Sequence, residues 1–226
     1  MIIAIDTSTQ WMGISLFDGS IVVYEKVWKT NRRHTVELSP AIENALLDTD
    51  TDKKDLQAVG VAIGPGSFTS LRIGLAAAKG LCLSLNIPLI GIPSLDISAR
   101  GIPLKDVELI CLLRAGRKNL AALKYVNRGD RWERMGEIFV ATAEELETNI
   151  TSRTLICGEM TSDEKKILLR RWRNVVISDP PLNIRRPSIL ANMVFDRFSA
   201  GDFDDSASTA PIYLRTVKNV DKGTPV

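Results

Sequence analysis

Few residues in this 226-residue chain have types and spacing suited to chemistry. Asp6-Thr7-Ser8 closes the first apolar run, Ile2–Ile5, where a β-hairpin pattern begins. A carboxylate at a strand end, beside hydroxyls and backbone amides, can orient a phosphate-bound metal and cradle the phosphate. The same residue types also cap turns by bonding their own backbone, and the tripeptide alone supports both readings. A phosphotransferase would need a second such hairpin with its own acid. The corresponding later strand runs into Arg114-Ala115-Gly116-Arg117-Lys118, which offers cations and no carboxylate. Gly64-Pro65-Gly66-Ser67 leads from an apolar run into a helical one, and amides at a helix start attract anions. It lacks the Lys-Ser/Thr ending of a phosphate loop, so a structural turn with Ser67 as N-cap is the better reading. His34 is the only histidine. A histidine-based metal centre would need a second imidazole or a thiolate cluster, and a serine hydrolase would need a Gly-x-Ser-x-Gly elbow; the sequence offers neither. His34 is therefore expected in an exposed loop or at a helix cap. Cys82, Cys111 and Cys157 each sit in an apolar run and read as buried free thiols.

These residues have to be positioned by a recognisable alternation of elements. Ile2–Ile5, Met12–Phe17 and Ile21–Trp28 read as three antiparallel strands, with Asp18-Gly19 as a hairpin turn. Val36, Leu38, Ile42, Ala45 and Leu46 recur at helical spacing. Pro40 means that this helix either begins near Ser39 or starts near His34 and is kinked. Leu56–Ile63 reads as a buried strand, Phe68–Leu85 as a long helix, Leu89–Gly91 as a short strand, and Ser94 as the cap of a helical turn through Arg100. This β-β-β-α-β-α-β order is that of a ribonuclease-H-like lobe with a mixed sheet. A second unit repeats it in outline, with strands at Val107–Leu113, Leu120–Val126, Trp132–Val140, Thr154–Cys157 and Val175–Ile177. Its helices are expected at Ala143–Asn149, Ser162–Trp172 and Ser188–Ser199. The expected domains are residues 1–102 and 103–203, followed by a segment at 204–226. That segment reads as a polar linker, Asp204–Ala210, an apolar snippet, Pro211–Leu214, and a loose tail, Thr216–Val226.

Composition is ordinary for a globular protein, with 45% hydrophobic and 25% charged residues and a net charge of +2. Residues 1–100 hold 9 basic and 10 acidic side chains, which leaves 20 basic and 17 acidic for the remainder. That mild basic tilt includes Arg170-Arg171-Trp172-Arg173 and Arg185-Arg186, which read either as a solvated face or as an RNA contact. Met1–Ile5 is apolar but Asp6 interrupts it at once, so neither a signal peptide nor a membrane span is expected there, and a cytoplasmic location is. The Phe68–Leu85 helix carries two apolar stripes. One is Phe68, Leu71, Leu75, Ala78 and Cys82; the other is Ile73, Ala76, Ala77, Gly80, Leu81 and Ser84, made mostly of small residues. Two apolar stripes imply two buried faces, and small side chains admit a close helix neighbour. The second stripe is expected to meet another chain, with Val36–Leu47 beside it; a helix enclosed within its own domain is the alternative.

With these residues set out, the chain resembles the TsaB (YeaZ) family. The resemblance rests on Ile3-Ala4-Ile5-Asp6-Thr7-Ser8-Thr9 and on His34-Thr35-Val36-Glu37-Leu38-Ser39-Pro40. Above all it rests on Gly64-Pro65-Gly66-Ser67-Phe68-Thr69-Ser70-Leu71-Arg72-Ile73-Gly74 with Ala78-Lys79-Gly80-Leu81. Asn86-Ile87-Pro88-Leu89-Ile90-Gly91, Ser94-Leu95 and Pro211-Ile212-Tyr213-Leu214-Arg215 complete it, so the N-terminal half carries nearly all of it. The second half departs from the family, which commonly has an Asp-Ala-Arg turn where this chain has Arg114-Ala115-Gly116-Arg117.

The resemblance implies two ribonuclease-H-like lobes of the actin/sugar-kinase/Hsp70 superfamily. It also implies a non-catalytic scaffold needed to form threonylcarbamoyladenosine in tRNAs reading ANN codons. The chemistry would belong to a TsaD paralogue, which holds a metal through two histidines and transfers the threonylcarbamoyl group from an adenylate. A TsaE ATPase would cycle the complex. The implied docking face joins Val36, Leu38 and Ile42 to Ile73, Ala76, Ala77, Gly80, Leu81 and Ser84, and the same face could pair two copies of this chain. Asp6, Thr7 and Ser8 would be a vestigial phosphate turn. No cofactor of its own is implied beyond weak ATP or ADP binding at the partner interface, and tRNA would be reached only through the complex. The competing reading is an ATP-dependent transferase or peptidase-like enzyme acting alone; a further one is direct tRNA binding by the basic clusters.

Overall fold

A computed structural model describes residues 1–214; the tail expected at Thr216–Val226 lies outside them. Two five-stranded sheets form, and each alternates side chains between two apolar layers, as the period of two along a strand requires. The first contains β1 (Ile2–Asp6), β2 (Trp11–Phe17), β3 (Val22–Lys29), β4 (Ala58–Ala62) and β5 (Leu89–Ile92), in the order β3-β2-β1-β4-β5. β1–β2–β3 are antiparallel, whereas β4 and β5 run parallel to β1. The second contains β6 (Glu108–Arg114), β7 (Leu120–Asn127), β8 (Trp132–Ala141), β9 (Thr154–Gly158) and β10 (Val175–Ile177), in the order β10-β9-β6-β7-β8. Counted from its first strand, the second sheet repeats the topology of the first.

On one face of the first sheet, Ile3, Ile5, Ile14, Leu16, Val59 and Val61 pack under α1 (His34–Asp48) and α2 (Phe68–Leu85). Its opposite face, with Ile2, Ala4, Ala58 and Ile90, is covered by Leu190, Ala191 and Val194 of α6 (Pro187–Ser199). In the second sheet, one face packs under α4 (Ala143–Asn149) and α5 (Ser162–Leu168). The other packs under Leu95 and Ala99 of α3 (Ser94–Arg100). Each half of the chain thus sends its last helix across to the other half's sheet. The expected division at residues 102 and 103 is therefore a division of sequence and not of packing. Helical periodicity reveals that α6 has an apolar face but not which sheet the face will cover. Gly60 makes the answer specific, because a Cβ there would lie 2.3 Å from Val194 Cγ2.

Several local expectations are corrected. Helix α1 starts at His34 and contains Pro40, which excludes a start at Ser39. Ser67 occupies the N-cap of α2, but its hydroxyl accepts from Ser70 Oγ (3.0 Å) and caps no backbone amide. Pro93, not Ser94, is the N-cap of α3. The α5 helix ends at Leu168 and passes into a 3-10 turn, Leu169–Arg171, short of Trp172. The stretch at 204–210 is more than a linker: Asp204 N donates to the Leu89 carbonyl (3.0 Å), and Asp204 Oδ2 accepts from Gly91 N (2.6 Å).

Candidate functional site

The Asp6-Thr7-Ser8 turn lies where β1 ends, and each of its three polar side chains is engaged from within. Arg185, from the loop before α6, reaches in with its guanidinium almost completely buried. Its Nε donates to Asp6 Oδ2 (2.8 Å), Nη1 to Glu159 Oε1 (2.8 Å) and Nη2 to Thr9 Oγ1 (3.0 Å). Thr9 Oγ1 in turn donates to Glu159 Oε1 (2.6 Å), and both Ser8 N (2.8 Å) and Ser8 Oγ donate to Asp6 Oδ1. Burial by itself disfavours the Arg185 charge, but the Asp6 and Glu159 carboxylates outweigh it and hold the guanidinium pKa above its ordinary value. The cluster ties the first lobe (Asp6, Thr9) to the end of the second lobe's β9 (Glu159) and to the root of α6. Asp6 is buried, and its two carboxylate oxygens face an internal cation and a serine. Among the described residues, no group of three His, Cys, Asp or Glu side chains is placed to hold a metal ion.

His34 is corrected from an exposed loop or cap residue to a buried one. At the first position of α1, its Nε2 donates to the Thr9 carbonyl (2.8 Å). The glycine motif is explained by the same turn. A Cβ on Gly66 would sit 2.2 Å from the Ser8 carbonyl oxygen, and one on Gly74 would sit 2.2 Å from Thr7 Oγ1. Ser67 N donates to Ser8 O (2.7 Å) and Thr7 Oγ1 to Ser70 O (2.7 Å). The glycines let α2 close directly on the Asp6–Thr9 turn, and that packing accounts for their spacing. At the equivalent strand end of the second lobe, Arg114 pairs with Glu164 and donates to the carbonyls of Gly116 (3.2 Å) and Arg117 (2.7 Å), holding its own turn. Glu164 is buried, which raises a carboxyl's pKa, yet the Thr161 amide and Arg114 bring it below the usual carboxylate value. The three cysteines are buried free thiols, as expected. Burial pushes Cys82 up to about 11, and Cys111 Sγ lies 3.4 Å from Cys157 Sγ across the β6–β9 pair.

The expected docking face is partly rearranged. Leu38 and Ile42 are 2% and 8% exposed and belong to the lobe's own core, so they are removed from it. Ile73, Ala77 and Leu81 are half-buried and pack against that same core. The open stripe of α2 is Ala76, Gly80 and Ser84, joined by Leu83, which is 87% exposed and was not among the expected residues. On α1 the exposed apolar residues are Val36 (57%) and Leu47 (70%). Leu47 lay in plain view as the last apolar residue of its helix, but periodicity alone did not separate its face from that of Leu46.

The C-terminal segment borders this stripe along one side. Arg72 lies over the Phe68 ring (3.7 Å) and donates from Nε to Tyr213 Oη (2.8 Å), while Ile212 N donates to Ile63 O (2.7 Å). By length and composition α2 could cross a membrane, but its inner face packs on β4 and its cations Arg72 and Lys79 reach Tyr213 and the Ala207 carbonyl.

The architecture defines a class first: a two-lobed actin/sugar-kinase/Hsp70-like fold, with the interlobe carboxylate turn closed by an arginine. A solved Pseudomonas aeruginosa structure, described as an uncharacterized protein with similarity to peptidase YEAZ, superposes with a TM-score of 0.78. It is 19% identical, and the match covers 95% of this chain and 99% of that one. Residues 28–168 match the family model for TsaD, tRNA N6-adenosine threonylcarbamoyltransferase. The tRNA threonylcarbamoyladenosine biosynthesis protein TsaB of Escherichia coli is 33% identical over 179 residues, 77% of this chain and 70% of that protein. The TsaB of Bacillus subtilis is 41% identical over 98 residues, 43% of each chain. The chain belongs to the TsaB (YeaZ) family.

Proposed function

We propose that this chain is a non-catalytic subunit in the formation of threonylcarbamoyladenosine on tRNAs reading ANN codons. It acts in the cytoplasm by docking a TsaD-type transferase on the exposed stripe of α1 and α2. The observation that carries the reading is that stripe: Val36, Leu47, Ala76, Gly80 and Leu83 stand open on two adjacent helices. Covering a leucine or valine yields about 1.5–3 kcal/mol, so three such side chains supply the core of a stable interface. The small residues between them admit a partner helix at close range. The family names support the pathway, and the match to a TsaD model supports a partner of related fold. A TsaE-type ATPase joins the pair, and the same stripe pairs two copies when the transferase is absent. Weak ATP or ADP binding belongs to the partner interface and not to Asp6, whose oxygens already face Arg185 and Ser8.

The test is a reconstituted reaction with purified chain, cognate TsaD and TsaE, and unmodified tRNA. Product should require this chain and should be lost with Gly80→Glu, a position where an added Cβ meets nothing within 4 Å. Modification by this chain alone, or undiminished modification without it, would overturn the reading.

A further inference from the structure

The basic cluster noted in the sequence forms a surface that the docking stripe does not use. Trp172 follows the 3-10 turn after α5 and is 69% exposed, the most exposed of the large aromatic side chains among the described residues. The Arg173 guanidinium lies over its ring at 5.1 Å. Thr154 N donates to the Asn174 carbonyl (2.7 Å), and β9 pairs with β10 in register from Thr154 and Val175. That pairing sets Arg153 beside the Arg173–Asn174 step. Arg153, Arg170 and Arg173 are exposed, and none has a carboxylate within 4.0 Å among the described residues. Of the acids on adjoining elements, Glu147 is taken by Arg171 (2.8 Å) and Glu108 accepts from Ser152 (3.2 Å).

An open indole with one arginine stacked on it and two more unpaired guanidinia nearby matches an unpaired base followed by its phosphates. Aromatic faces stack bases, and arginines neutralise the backbone. We infer that Arg153, Arg170, Trp172 and Arg173 form a contact for a single-stranded or looped RNA segment. The choice of RNA over another polyanion rests on the RNA-modification reading above. The inference departs from the expectation that tRNA is reached only through the complex.

The experiment is fluorescence anisotropy of the full chain, without partners, on a labelled 12-nucleotide single-stranded RNA at 50 and 200 mM salt. Three phosphate contacts give a log–log salt slope of roughly −2, a loss of about twentyfold between the two conditions. Trp172→Ala should weaken binding about tenfold, and Trp172→Phe should retain most of it. The paired substitution Arg170→Gln and Arg173→Gln should flatten the slope by roughly 1.4. Unchanged thermal melting of these surface variants verifies folding. Binding unaffected by Trp172→Ala, binding that follows charge alone, or no binding at 50 mM overturns the inference. Because the transferase is absent, a chain that passes this test but fails to pair with TsaD refutes the docking reading and leaves this one standing.

Discussion

Arg185→Met tests the internal arginine that closes the Asp6 turn. The substitution keeps most of the side chain's length and apolar stem but removes a cation that is 3% exposed and donates to two carboxylates. Asp6 and Glu159 are left buried, with no positive neighbour and facing each other across the vacated space. Breaking a buried pair in this way costs about 3–5 kcal/mol. For a chain of this length each kcal/mol lowers Tm by roughly 2–4 °C, so the variant should melt about 6–20 °C below the parent. Neutralising the orphaned acids in the same background, with Asp6→Asn and Glu159→Gln, should recover more than half of the loss. That recovery distinguishes buried charge from lost packing. The neighbouring Arg186→Met is the control: Arg186 is 55% exposed on its pair with Glu25, so about 1 kcal/mol or less is expected. Urea titrations and calorimetric melting read all three. An Arg185→Met protein within about 1 kcal/mol of the parent, or one not rescued by neutralising the acids, would refute the reasoning.

Four further outcomes follow from the same geometry. Gly66→Ala should cost several kcal/mol, on the order of a large core defect, because its Cβ meets the Ser8 backbone at 2.2 Å. Gly80→Ala should instead stabilise by about 0.5–1 kcal/mol in chemical denaturation, because it meets nothing and improves helix propensity. Glu25 is part-buried, which raises a carboxyl's pKa, but bonds from Arg186 and Ser188 bring it below its ordinary value. Its stabilisation is present above the unfolded carboxylate pKa and lost as pH falls through the folded one. Glu25→Gln should therefore lower stability at pH 7, and its difference from the parent should shrink as pH falls below the ordinary carboxylate range in denaturation curves across pH. The thiols of Cys82, Cys111 and Cys157 are buried, so an aromatic disulfide reagent at pH 8 should label none of them natively and all three in denaturant.

Much of the fold was legible because alternation and turn chemistry are local. Asp18-Gly19, the apolar runs and the helical spacing placed the ten strands and six helices of the described residues to within a few residues. The exchange of α3 and α6 between sheets was not legible, since an apolar helix face does not name its partner. Nor was the role of Arg185, which stands 179 residues from Asp6 and looked like half of a surface Arg-Arg pair. Leu38 and Ile42 illustrate a third limit. Helical spacing grouped them with Val36, but at about 100° per residue Leu38 and Ile42 lie roughly 160° and 120° around the helix from it, enough to move them from surface to core. The glycine motif was found from sequence as a turn; that it is shaped to receive Ser8 and Thr7 required the tertiary contact.

The central claim is that the open α1–α2 stripe binds a TsaD-type transferase. Its most direct test is titration calorimetry of the purified chain with the cognate transferase, alongside Gly80→Glu and Ala76→Arg, two exposed sites where the monomer has no need of the native side chain. The parent should form a stable complex, and each variant should bind at least about a hundredfold more weakly while melting no lower than the parent, a charge having been forced into a desolvated interface. Equal affinity for parent and both variants would contradict the claim.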